Sequence, residues 1–140
     1  MADTGLQRFV TAQDGTYQQA LAEVRAGDKR SHWMWFTFPQ LAGLGRSPTA
    51  QFYGIACRAE AIDYLAHPVL GPRLLEITDT MLAWSGRRTA AAILGEIDAL
   101  KFRSSMTLFA EVADDPEPFI SALAAFHGGE RDPLTLRLLD

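Results

Sequence analysis

Helix start and stop signals recur along this chain and cut it into short helical pieces with little left to pair as strands. Ser47-Pro48 reads as a cap followed by a first-turn proline, and Thr89 can cap the run TAAAIL. Asp115-Pro116 and Asp132-Pro133 open two more pieces. On the stopping side stand Gly27, Gly86, Gly95 and Gly128-Gly129. His67-Pro68 should interrupt the helix Cys57–Ala66, because a proline disfavours helix in the residue before it. Between these marks the apolar residues keep helical spacing. Tyr17, Ala20, Leu21 and Val24 form one narrow stripe in the segment Thr16–Ala26, capped by Asp14 or Thr16, with Glu23 and Arg25 turned away. The expectation is an all-α, single-domain helical bundle of about six to eight short helices around one core.

Composition agrees with a packed domain. Hydrophobic residues make up 48% of the 140 and charged residues 21%, ordinary globular proportions. Residues 1–5 are expected to be disordered. A net charge of −4 removes the overall positive field that general nucleic-acid binding needs. Cys57 is the single cysteine, so no internal disulfide forms and a reducing compartment fits best. The opening MADTGLQRFV has no secretory pattern, and no apolar run approaches a membrane span. These features point to a cytoplasmic protein that does not enter a membrane. His32, His67 and His127 are far apart and lie near no cysteine pair, which leaves no metal signature. No cofactor is indicated.

Two places carry polar groups where apolar ones are expected. The first is RSHWMWFTFPQL, residues 30–41, which holds two of the three tryptophans and two of the eight phenylalanines. Four rings can simply anchor a core. Tryptophan, however, is usually placed where its N–H finds a partner. Trp33 and Trp35 beside Arg30, Ser31 and His32 therefore also suit a polar cleft with aromatic walls, closed on one side by Gln40 and by Arg46 of GLGRS. The stretch WMWF reads as a short helical turn or a buried extended segment, since a lone strand leaves backbone groups unpaired. The second place is the helix Asp98–Ala113. At about 100° per residue, Asp98, Lys101 and Ser105 fall in the middle of its apolar arc, while Arg103, Thr107 and Glu111 face solvent. Asp98 as a cap, Lys101 reaching to water and Ser105 bonding a carbonyl one turn back would explain them structurally. Alternatively, the helix start and Lys101 line a site for an anion such as phosphate.

The run LQRFVTAQDGTYQQALAEVRAGDKRSHWMWFTFPQLAGLGRS, with YGIACRAEAIDYLAHPVLGPRL and IDALKFRSSMTLF, resembles a bacterial family known as domain-of-unknown-function family 1810. The similarity spans roughly Leu6 to Leu139. It implies a mainly helical fold and supplies no catalytic residues. Members are sometimes labelled calpastatin, a disordered protease inhibitor, which does not suit a chain patterned as a packed domain. The arrangement QA…LGR…ALKF is faintly similar to the NADAR domain, which acts on N-glycosidic bonds of ADP-ribose-like compounds. The W-P-T-x-E-H segment of that domain is missing.

Two functions from different classes follow. In one, a small molecule carrying phosphate, nucleotide-like, binds against Arg30, Ser31, His32, Trp33, Trp35, Gln40, Arg46, Lys101 and Ser105, with Asp98 or His32 as the proton-transfer group if it is also transformed. In the other, the rings are core and the chain is a non-catalytic module that binds another protein through an apolar patch. No unusually apolar outer helix face is visible in the sequence.

Overall fold

The computed structural model describes residues 4–139. The expectation for residues 1–5 falls partly outside them; Thr4–Leu6 form a 3-10 turn. Ten α-helices follow: α1 (Gln7–Gln13), α2 (Tyr17–Arg25), α3 (Met34–Thr37), α4 (Pro48–Phe52), α5 (Arg58–Ala66), α6 (Leu70–Leu82), α7 (Ala90–Leu94), α8 (Glu96–Val112), α9 (Glu117–His127) and α10 (Pro133–Leu139). Strands are absent among the described residues. The count exceeds the about six to eight expected from caps and breakers. The additions are α1 and α3, the latter being the helical turn that is one of the two readings of WMWF. No side chain caps α1, whose N-cap position is Leu6, so it carries none of the usual start signals. The α3 turn is four residues long and equally uncapped, and burial of its surroundings rather than propensity holds it.

The cap readings explain several other boundaries, but neither Asp14 nor Thr16 caps α2 through its side chain, and α8 begins at Glu96, so Asp98 lies in its first turn and not at its cap. Ser47 Oγ accepts the N–H of Ala50, and Thr89 Oγ1 accepts that of Ala92. Asp132 Oδ1 accepts from Leu134 at the start of α10. Gly95 sits at φ 93°, a conformation open to glycine, and this lets α7 turn directly into α8. The segment after α3 runs extended to a single parallel bridge between Leu41 and Ile55. Gly54 makes that approach possible, since a Cβ there would lie 2.3 Å from Cα of Ala42.

Helix α8 is the axis of the core. It packs on α5, α7, α9 and α10. Its Phe102 meets Phe38 edge-on with ring centres 5.0 Å apart, and Phe126 at 6.0 Å. Two turns further on, Phe109 packs against Tyr64 at 5.4 Å and Phe119 at 5.8 Å. Tyr64 in turn takes the edge of Phe9. Polar ties fix the first helix to this frame. Arg8 donates to the carbonyls of Gly5, Phe52 and Gly54 and pairs with Glu60 at 3.1 Å. Buried Gln13 donates to the Phe36 carbonyl and the Tyr64 hydroxyl. No helix of the described residues is long and apolar enough to cross a membrane.

Phe102 is fully buried and joins α8 to α9 and to the extended segment. Phe102→Ala removes those contacts and leaves a cavity, which should cost about 3–5 kcal/mol. A urea titration should show this as a lower midpoint with an unchanged slope.

Candidate functional site at the start of α8

The loop from Asp28 to Trp33 leaves α2 and is gathered by one carboxylate. Glu23 Oε1 accepts the backbone N–H groups of Arg30 at 2.8 Å and Ser31 at 3.0 Å, and the Trp33 indole N–H at 2.9 Å. Its Oε2 accepts from the Ser31 hydroxyl at 2.7 Å and from Gln19 at 3.1 Å. Burial acts to raise the Glu23 pKa. The hydrogen bonds from Ser31, Arg30 and Trp33 outweigh it and hold the carboxyl at about 2. The backbone N–H of Lys29 donates to the Ile93 carbonyl, which ties the same loop to α7.

This anchoring brings the tryptophan segment and α8 together. Lys29 Nζ pairs with Asp98 at 3.0 Å, and Lys101 Nζ pairs with the other oxygen of the same carboxylate at 3.1 Å. Lys29 Nζ also stands 5.1 Å from the Trp33 ring centre, and Lys101 Nζ stands 4.0 Å from that of Trp35. The three charged side chains are only 10%, 21% and 16% exposed for Lys29, Lys101 and Asp98. Two cations thus share one anion in a partly desolvated setting.

The other expected residues are dispersed. Trp33 is wholly buried, with Phe38 beside it, so neither of its faces is open to a flat ligand. Arg30 does not join Asp98; it pairs with Asp28 and is 78% exposed. Ser31 is committed to Glu23 and Gln19, and His32 is exposed. Gln40 is buried, and its carbonyl accepts the Ile55 N–H of the bridge. Arg46 is exposed, on the loop before α4. Ser105 is fully buried, but its hydroxyl has no partner; the bonds to carbonyls one turn back are made by Ser104 and Thr107 instead. Thr107 is not on a solvent face. The segment before α10 covers it, and its hydroxyl accepts the Asp132 N–H.

Sequence reasoning missed Lys29, although it heads the KRSHWMWF run, and missed Glu23, whose position off the apolar stripe was the available signal. It also missed two apolar side chains on the first turns of α8: Ile97 is 73% exposed and Leu100 61%. Half-buried His127 was unassigned. Burial first, then the Arg103 charge, pushes its pKa down, and its Nε2 has no partner. It lines a groove of about 370 Å³ with Thr89, Glu96, Leu100 and Phe126. Other grooves of about 270, 300 and 250 Å³ are also lined by residues outside the lysine cluster. The cluster is therefore a partly buried patch beside Trp35. Among the described residues no group of three or more His, Cys, Asp or Glu could hold a metal ion.

A family model described as "Protein of unknown function (DUF1810)" matches residues 3–139. The chain belongs to this family. The crystal structure of the conserved hypothetical protein Rv1873 from Mycobacterium tuberculosis is similar, with a TM-score of 0.93 and 50% identity over 96% of this chain and 95% of that one. No curated protein matches. The shared fold of this DUF1810 chain is thus firmly placed, and its chemistry rests on the residues themselves.

The Glu23 carboxyl is depressed in the folded state, so its contribution to stability is complete above about 4.5 and is lost as pH falls towards about 2. Melting temperature followed across that window should fall more steeply for the parent chain than for Glu23→Gln. At pH 7 the variant should melt lower, by a loss of about 2 kcal/mol, because the glutamine amide cannot accept as many charge-assisted bonds.

Proposed function

We propose that the chain binds a small molecule bearing phosphate or a similar anion at the start of α8. Lys29 and Lys101 supply the charge, and Trp35 forms the apolar wall. The observation that carries this reading is the pair of partly buried lysines held against tryptophan rings by the single carboxylate of Asp98. That arrangement leaves one positive charge in excess, and desolvation makes its attraction for an anion stronger than at an open surface. The α8 N-terminus adds its own positive potential at the same end. Exposed Ile97 and Leu100 on the first turns of α8 offer apolar contacts for the body of such a ligand.

Asp98 is engaged by two ammonium groups, which suits a residue that positions the lysines better than one that takes a proton. The reading is therefore of binding, with no reaction assigned. Arg30, Trp33, Gln40, Arg46 and Ser105 are left out of the contact set, for the placements described above.

A thermal-shift series with inorganic pyrophosphate, ATP, ADP-ribose, NAD and a phosphosugar tests this. At about 100 times its Kd, a true ligand raises stability by about 2.7 kcal/mol. Lys101→Met should leave the unliganded melting point within about 1 kcal/mol of the parent, since Asp98 keeps Lys29. It should weaken binding by about 10-fold or more. If no anion in the series shifts the parent chain, or if Lys101→Met binds equally well, the reading is wrong.

A further inference from the structure

A second feature lies at the far end of α8 and is independent of the lysine cluster. The C-terminal turns of α5, the middle of α6 and the α8–α9 junction enclose a groove of about 270 Å³. Its walls are Ile62, Leu65, Leu75, Val112 and Phe119. Ile62 is 46% exposed and Leu75 41%, so two large aliphatic side chains face water where the helices do not close over them. Charge enters the lining only at Asp114 and Asp115. Asp115 Oδ1 accepts the Glu117 N–H at the start of α9, while the Asp114 carboxylate has no partner among the described residues. Arg58, one turn before Ile62, donates to the carbonyl of Glu111 and pairs with neither aspartate.

We propose that this groove docks a segment of a partner protein that presents one large apolar side chain with a lysine or arginine within one helical turn of it. The open shape of the groove favours an anchoring side chain over an enclosed organic ligand. Ligand pockets usually run from about 300 to 1,000 Å³ and enclose most of their occupant. An open groove of this size suits a single anchoring side chain of a helix or extended peptide, with neighbours resting on the exposed rims of Ile62 and Leu75. Charge decides the rest of the partner's chemistry. An occupant that covers the mouth takes Asp114 and Asp115 out of water. A neutral or acidic occupant leaves Asp114 desolvated and unpaired and Asp115 with the Glu117 N–H alone, which is unfavourable, whereas a basic residue compensates them and steers the encounter.

Selection of a random peptide library displayed on phage against the immobilised full chain tests the proposal, followed by fluorescence anisotropy of a labelled synthetic peptide carrying the enriched sequence. Enriched peptides should combine Phe, Trp or Leu with Lys or Arg at most four positions away. Asp114→Asn with Asp115→Asn should weaken the peptide about 10-fold or more and flatten its salt dependence, and Asn at 115 retains the acceptor for Glu117. Leu75→Glu should abolish binding without loss of fold, because the side chain is half in solvent; should that variant melt early, Ile62→Glu serves in its place. The proposal is overturned by a selection that enriches nothing, by enriched peptides lacking basic residues, or by affinities indifferent to these variants. It is equally overturned if sedimentation shows the parent chain self-associating and Leu75→Glu restoring the monomer, since the occupant is then a second copy.

Discussion

The carboxylate of Glu23 fixes how the chain leaves α2. By accepting from two consecutive backbone N–H groups, the Ser31 hydroxyl, Gln19 and the Trp33 indole, it turns the loop inward and seats Trp33 in the core. Once Trp33 is seated, Lys29 stands over its ring and beside Asp98, and Trp35 comes under Lys101. The order of the lysine cluster is therefore borrowed from an acceptor on a different helix, one that touches neither lysine. A charged acceptor does this better than a neutral one. Hydrogen bonds to an ionised group are shorter and stronger, and several converge here on one side chain.

The helices were legible where a local rule sets the boundary. Ser47, Thr89 and Asp132 cap what they were expected to cap, and His67-Pro68 closes α5. Where burial rather than propensity sets the element, the sequence gives no sign of α1 and leaves α3 open between a helical turn and an extended segment. Helix α1 has no cap, and α3 is one turn whose existence depends on the rings around it. The site was legible in part. The convergence of the tryptophan run with Asp98 and Lys101 could be expected from polar residues within an apolar arc. Which basic residue completes it could not. Lys29 and Arg30 are adjacent, so their side chains leave the loop in different directions, and the choice follows from the Glu23 bonds to residues 30 and 31, seven and eight positions on, which no periodicity rule specifies. Thr107 shows the same limit on α8. Periodicity placed it outside, and the segment before α10, remote in sequence, covered it.

Helix α8 gives the two candidate surfaces a common logic. Asp98 and Val112 lie near its two ends, about 20 Å apart at 1.5 Å per residue. The macrodipole is positive at the lysine end and negative at the aspartate end. Lys101 thus sits one turn in from the end that repels a cation, and Asp114 sits just beyond the end that repels an anion, whereas Asp115 is held by the Glu117 N–H at the favourable start of α9. Against the α8 dipole alone, the Lys101 and Asp114 charges are each slightly unfavourable. Nearby groups offset part of it: Glu96 and Asp98 in the first turn, and Arg58 on the Glu111 carbonyl. What they leave over has opposite sign at the two ends. Under the two proposals, a bound anion would relieve the first and a basic side chain the second, so the helix that organises the aromatic core would relate the two surfaces by charge.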